Sequence, residues 1–544
     1  MILELTEHVM SATVSVRGTL EMKRGWLPVL LGCMVIGGAA AQSPRATLYE
    51  EAKCASPETA LDGIVFKSFA KAGVRPMYCT DAVFLRRAYL DVIGTLPTAD
   101  EARAFLSDTS LNKRRALVER LLERDEFADY WAMKWSDLLR VKAEFPVNLW
   151  PNAAQAYHRW LRASIRDNKP YDRFARELLT SNGSNFRVGP VNFYRAIQDR
   201  SPEGIATAVA LTFMGCRAEN WPSNTLAGMS VFFSQVNYKP TREWKEEIVY
   251  WDPDKAAAGA TQVGELPDRT RITLTPGRDP REVFADWLIT PKNQWFTANI
   301  VNRIWSWLLG RGIIHEPDDI RSDNPASNPA LLLFLRREFA RSGCDTKHLF
   351  RLILTSRTYQ LSSFVAPEKI KLAAPLFAFY PLRQLDAEVL IDAINAITGT
   401  SDLYTSAIPE PFTFIPANKP AIALPDGSIT SPFLELFGRP ARATGLENER
   451  VNKPSASQRM HLLNSSHIQR KFETGPNMKR LLDPARKPKE TIEELYLSIL
   501  SRFPTPDEIA AVESYMKSGV AKRNEVGIDL AWALINSDEF LFRH

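Results

Sequence analysis

Apolar residues return every third or fourth position along most of this chain, the period of a helix with one buried face. In DAVFLRRAYLDVIG, which begins at Asp81, that stripe is Val83, Phe84, Ala88 and Val92, and Gly94 supplies the left-handed residue that ends a helix. The next stretch, TADE, announces a second helix: Thr98 caps it and Glu101 reaches back, which is a capping box. Near the C-terminus ELYLSILSRFPTPDEIAAV follows the same plan, with Tyr496, Pro504, Thr505 and Glu508 standing for Tyr89, Pro97, Thr98 and Glu101. There Pro506 takes the first helical position, where a missing N–H costs nothing. Both copies run on to an Asp-Glu-Phe, at Asp125 to Phe127 and at Asp538 to Phe540. A fainter echo links FARELLTS, ending at Ser181, with LFRLILTS, ending at Ser356. The pattern predicts a mainly α, multi-helical fold with helical repeats.

Helical periodicity stops over residues 253–280, where Pro, Gly and Thr accumulate. This predicts a helical domain over 42–255, a linker over 256–280 and a second helical domain over 281–544. The runs EEIVYW and RITLT flanking the break predict at most one small β hairpin near the boundary, made by pairing with each other. A second irregular stretch, 401–454, is rich in Pro and turn residues, and loops of that length inside compact domains tend to carry function.

The N-terminus changes the picture of where the protein works. From Met22 the chain reads MKRGWLPVLLGCMVIGGAAAQ, two positive charges, an apolar core and a small-residue cleavage pattern, so residues 1–41 read as a signal peptide. Glu4, Glu7 and Glu21 are out of place in a positive leader and point to Met22 as the start. The expected location is periplasmic or extracellular, with an uncleaved anchor or a lipidated Cys33 as the alternatives and no integral span in the mature chain. In that compartment Cys54 and Cys79 could close a loop of about 25 residues, worth about 3 kcal/mol. No CxxC or CxxCH occurs, so no metal site and no cofactor are expected from spacing. The net charge of +5 comes from 68 basic and 63 acidic side chains spread along the chain, which gives no field suited to nucleic acid.

Two segments concentrate polar chemistry. After a helix bearing Asn302, Arg303 and Trp305 come His315, Glu316, Asp318, Asp319, Arg321 and Asp323. Such carboxylates either bind a hard cation or supply an acid and a base, or else they pin the loop through Asp/Arg ion pairs. The second segment, FGRPARATGLENERVNKPSASQRMHLLNSSH, holds Arg439, Arg442, Glu447, Glu449 and Arg450 ahead of a helix with Gln458, His461 and Asn464. Their spacing of three puts those last residues on one helical face, able to point into a polar pocket; the alternative is a hydrogen-bonded structural histidine. The candidate catalytic residues are therefore Asp318, Asp319, Glu447, Glu449 and His461, and the candidate binding residues Arg303, Arg321, Arg439, Arg450, Gln458 and Asn464. Exposed aromatics could stack on sugar rings, although Trp131 and Trp135, four apart on one helix, read as core. No GxSxG, HExxH or Walker loop is present.

FLRRAYLDVIGTLPT, YWAMKWSDLLR, NRIWSWLLGRG, DDIRSDNP, SRTYQLSS and INSDEFLFRH together resemble the planctomycete-type cytochrome-associated proteins, over about Leu61 to His544. The resemblance implies an exported, mainly helical chain of two tandem domains of unknown function, some relatives adding an N-terminal cytochrome c domain; it brings no reaction. Many relatives carry a CxxCH-like run after the step that corresponds to Phe213-Met214-Gly215, where this chain has Cys216 alone. Where relatives often read Cys-Glu-Cys-Glu-Arg and Ser-His-Pro, this chain has Leu446 to Arg450 and Ser327-Asn328-Pro329. These departures imply a member that has lost a haem, metal or thiol site, with Cys216 left buried or paired to Cys344. The expected function is an exported binding or scaffold protein acting on polysaccharide or a protein partner. The alternatives are a hydrolase or lyase on an extracellular polymer and a haem-free adjunct to a separate cytochrome c. Convergence of the candidate carboxylates and His461 in one cleft would favour catalysis; dispersal into ion pairs would favour binding.

Overall fold

A computed structural model describes residues 46–255 and 262–544. The signal peptide, Met22, Cys33 and the first part of the expected linker lie outside the described residues. Helices make up 55% of the structure, so the class is mainly α, with small β elements. The helices that position the site are α1 (Ala60–Ala72), α2 (Asp81–Val92), α3 (Ala99–Ser107), α4 (Asp125–Leu138), α5 (Phe296–Leu309), α6 (Ala387–Thr398), α7 (Ala456–Asn464), α8 (Pro488–Leu500) and α9 (Pro506–Lys517). One connected apolar core reaches from Leu61 to Leu541 and draws on both expected domains.

The repeat that the pattern announces is built as such. Gly94 (φ 65°) ends the first copy's leading helix and Ser501 (φ 58°) the second's, and Thr98–Glu101 and Thr505–Glu508 each form a capping box. In each copy one arginine joins the capping-box glutamate to the glutamate of the Asp-Glu-Phe. Arg124 bonds Glu101 at 2.9 Å and Glu126 at 2.6 Å, beneath Tyr89. Arg502 bonds Glu508 at 2.8 Å and Glu539 at 2.7 Å, beneath Tyr496. The copies also pack together: α3 lies on α8, and the buried Arg86 of α2 donates to Ile499 O and Phe540 O at 2.8 Å each.

The strands pair differently from the expected hairpin. β5 (Glu247–Trp251) lies between β4 (Val236–Pro240) and the short β3 (Gly183–Ser184), while β7 (Arg271–Thr273) pairs with β6 (Val263–Glu265). The two sequence runs thus belong to separate sheets. β1 (Glu50–Cys54) pairs with β2 (Met77–Cys79), and β8 (Arg383–Gln384) with β9 (Phe542–Arg543). The Cys54–Cys79 bridge is not formed. The irregular register of β1 sets Cys54 opposite Met77 and Cys79 opposite Glu50, with Cys54 exposed and Cys79 buried, and both thiols are free.

Arg502 is buried and holds two carboxylates, so Arg502→Ala leaves them uncompensated and is expected to cost roughly 3 kcal/mol. The half-exposed Arg103, paired to Asp100 on its own helix and to Glu493 and Glu494 across the α3–α8 contact, is expected to cost under about 1 kcal/mol as Arg103→Ala. Urea titrations compare the two; equal losses would sink this reading of the repeat.

Candidate functional site

α5 is the organising helix. Asn299 and Arg303, four apart, lie within one turn of each other, and Trp307 follows four further on. Asn302 grips the loop that follows, donating to Ile314 O and accepting from Ile314 N at 2.8 Å each. Gly312 allows that fit, because a Cβ there would lie 2.2 Å from Ile314 O. So held, the loop aims Asp318 at Arg303 (2.7 Å), and the backbone N–H of Glu447 donates to the same carboxylate at 2.6 Å. The Glu447 side chain accepts from the Trp307 indole at 2.9 Å and meets Arg303 at 3.5 Å. Burial pushes the Glu447 carboxyl upward; Arg303 opposes this and Asp318 reinforces it. About a third of the Glu447 side chain is still exposed (32%), whereas Asp318 is sealed at 2%.

Gly215 and Cys216 dock on the same loop. Ile320 N–H donates to Gly215 O at 2.8 Å, and the Cys216 thiol points at Ile320 O (3.0 Å). Gly215 has φ 64°, and a Cβ would come within 2.8 Å of Asn299 Oδ1. Ser327 N–H bonds Ile313 O at 2.8 Å, so the three stretches singled out by the resemblance all meet the segment 313–320. Burial, with Asp319 adding, pushes the Cys216 thiol up to about 12, which leaves it protonated and a poor nucleophile. Cys216 and Cys344 are both free, so the alternative of a bridge between them is not realised. Among the described residues no group of three His, Cys, Asp or Glu side chains is arranged to hold a metal ion.

The remaining candidates go elsewhere. Arg450 bonds Glu388 and Asp137 at 2.7 Å each, Arg442 bonds Asp137 at 2.9 Å, and Arg439 lies 3.3 Å from Glu388. Asp386 accepts from Arg543 (2.7 Å), Lys134 (3.0 Å) and Asn452 (2.8 Å). Burial alone would raise Glu388, but Arg450 and Arg439 outweigh it and hold the carboxyl at about 2. Glu449 folds back to accept from Ala443 N–H and Thr444 N–H and so fastens a turn. Asp319 and Arg321 pair at 3.2 Å on the surface. Gln458 is buried between Leu436 O and Gln384, while Asn464 is exposed, so the expected common polar face does not exist. His461 stands edge-on to Phe433 and Phe437, 5.9 Å from the ring of His467, whose Nε2 meets Asp402 at 2.7 Å. Asp137, Asp386, Glu388, Lys134 and Arg543 were missed by sequence reasoning; their only signal is charge inside otherwise apolar runs.

The irregular stretch from residue 401 closes over the end of α4. Glu144 accepts from Ala407 N–H (3.0 Å) and Ser406 (3.2 Å), Asp426 accepts from Ala143 N–H (2.9 Å), and Gly427 N–H donates to Val141 O (2.9 Å). Asp392 of α6 accepts from Ala421 N–H (2.8 Å) and Ile422 N–H (3.0 Å). Outward from these two joined loops stand Phe145, Phe412 and Phe414, exposed by 80%, 47% and 66%, with Trp150 5.2 Å from Phe412.

Fold and site define a mainly helical two-part protein whose halves are stitched by buried ion pairs. Residues 60–219 match the family model PSCyt2, protein of unknown function (DUF1549), and residues 280–516 match PSD1, protein of unknown function (DUF1553). The chain thus carries these two domains in tandem, which matches the two-domain make-up of the planctomycete-type cytochrome-associated proteins. No curated protein and no solved structure matches it. The small sheets β4 to β7 fall between the two matched stretches.

Two outcomes test this geometry. Iodoacetamide at pH 8 is expected to modify Cys54 in the native chain and to spare Cys79 and Cys216; rapid labelling of Cys216 would contradict its packing. Burial, opposed by the N–H groups of Ile422 and Ala421 and reinforced by Glu388 and Asp402, raises Asp392 from 3.8 to about 7. A carboxyl raised in this way favours the fold at low pH and loses that contribution as pH climbs from about 4 through about 7. Asp392→Asn is expected to flatten that part of the pH–stability curve; an unchanged slope would count against it.

Proposed function

We propose that this protein is an exported binding protein that recognises polysaccharide through the aromatic side chains of its joined loops. The carrying observation is the exposure of Phe145, Phe412 and Phe414 on loops held by the buried Asp426, by the half-buried Glu144 and by backbone hydrogen bonds. Exposed aromatic rings suit the apolar faces of sugar rings, and Glu410, Asn418 and Lys419 nearby in sequence supply hydrogen bonds to hydroxyls. In support, most of the charged groups named from sequence are taken up in ion pairs or turns, which leaves few reacting groups free.

A second reading, hydrolysis or lysis of an extracellular polymer, draws on one pair. Asp318 is bound to Arg303, and burial raises the part-exposed Glu447 beside it, which suits Glu447 to a general-acid role. A panel of soluble polysaccharides tests both readings. Phe412→Ala with Phe414→Ala is expected to weaken binding about tenfold, and Glu447→Gln to leave it unchanged. Retained affinity in the double variant would reject the aromatic surface, and turnover lost in Glu447→Gln would favour the second reading.

A further inference from the structure

The segment between Ser362 and Tyr380 leaves the body and returns to the same point, closed by Tyr380 N–H donating to Ser362 O at 2.9 Å. Its return is anchored by the buried Ala373 and by Phe377, whose ring meets Trp305 edge-on at 5.1 Å. Ahead of these anchors every residue from Ala366 to Leu372 is exposed. The tip reads Lys369-Ile370-Lys371-Leu372, with Ile370 43% and Leu372 50% exposed, and Phe364 at the base is 58% exposed.

Helix α1 packs on the turn Ala374–Leu376 and exposes Lys67 and Lys71, four apart. The tip itself carries two lysines against one acid, Glu368, and two more lysines are exposed on the helix that packs on its return. Tyr49 lies 5.8 Å from the Phe364 ring, so the described chain begins on this same face.

We infer that the tip Lys369–Leu372 docks on an anionic lipid bilayer. The chemistry selects that partner. Ile370 and Leu372 enter the headgroup and acyl boundary while the lysine stems stretch along it and keep their ammonium groups among lipid phosphates. A short protruding tip whose apolar and cationic residues alternate offers a protein partner no flat or grooved face of the usual interface size. Its depth is peripheral, and no helix among the described residues is long and apolar enough to cross a membrane. The inference is independent of the polysaccharide reading, since the two surfaces share no residue.

Hydrogen exchange read by mass spectrometry on the full chain tests it, with vesicles of phosphatidylglycerol and phosphatidylcholine against vesicles of phosphatidylcholine alone. Exchange in peptides spanning 364–373 is expected to slow several-fold on the anionic vesicles only. The slowing should fall at least threefold in Lys369→Glu with Lys371→Glu, and again in Ile370→Ser with Leu372→Ser, both at exposed sites that leave the fold intact. Unaltered exchange on anionic vesicles overturns the inference, as does equal slowing on both vesicle types. Slowing that grows with protein concentration in the absence of lipid would assign the tip to a second copy and overturn it as well.

Discussion

The fold depends on burying Arg450 among Asp137, Asp386 and Glu388. Taking such charges out of water costs several kcal/mol per ion, which only close partners offset. The partners come from four distant parts of the chain: Asp137 from α4, Asp386 and Glu388 from the start of α6, Arg450 from the irregular stretch and Arg543 from the last residues. Each half of the network is therefore uncompensated until the other is in place. That dependence ties the first matched domain to the second more strictly than apolar contact does, because a shifted apolar contact costs little and a stranded guanidinium costs much. Its main effect is to select one arrangement of elements.

Local signals were legible because their causes are local. Thr98 with Glu101, Thr505 with Glu508 and the left-handed Gly94 are decided within a few positions, and the structure builds them as the sequence reads, whereas the left-handed Ser501 of the second copy carries no such signal. The arginines serving the two copies were not legible: Arg124 follows its capping box and Arg502 precedes its own, so alignment does not pair them although geometry does. Strand partners failed for a related reason. The partner of Glu247–Trp251 is VNYKP, whose Lys239 and Pro240 make it look like a loop, and a three-residue strand such as Val263–Glu265 leaves no period to detect.

For the site, the sequence named Arg303, Asp318 and Glu447, and the structure brings these three together. It also grouped Gln458, His461 and Asn464 on one face, and there the spacing misled. Each step of three falls about 60° short of a full turn, so two steps separate Gln458 from Asn464 by about 120°. One is buried as the capping-box partner of Ser455, and the other faces solvent. Arg439 and Arg450 look like binding residues because a loop arginine is usually solvated; here the loop lies over α4 and α6 and turns them inward.

With most polar candidates bound to one another, the proposed recognition of polysaccharide falls to side chains that the fold leaves outward. An irregular stretch as long as 401–454 would ordinarily lose affinity to its own ordering, because a mobile loop must be fixed before its side chains act together. This one is fixed beforehand: Glu144 and Asp426 fasten it to the end of α4, and Asp392 fastens it to α6. Two of the three fastenings use carboxyls that make no ion pair among the described residues, Asp392 and Asp426, and burial raises both, with Arg442 opposing it at Asp426. They hold backbone N–H groups, so their cost in desolvation is the counterpart of keeping Phe145, Phe412 and Phe414 on a rigid base. Rigid presentation of apolar rings on loops is what the proposed binding surface needs.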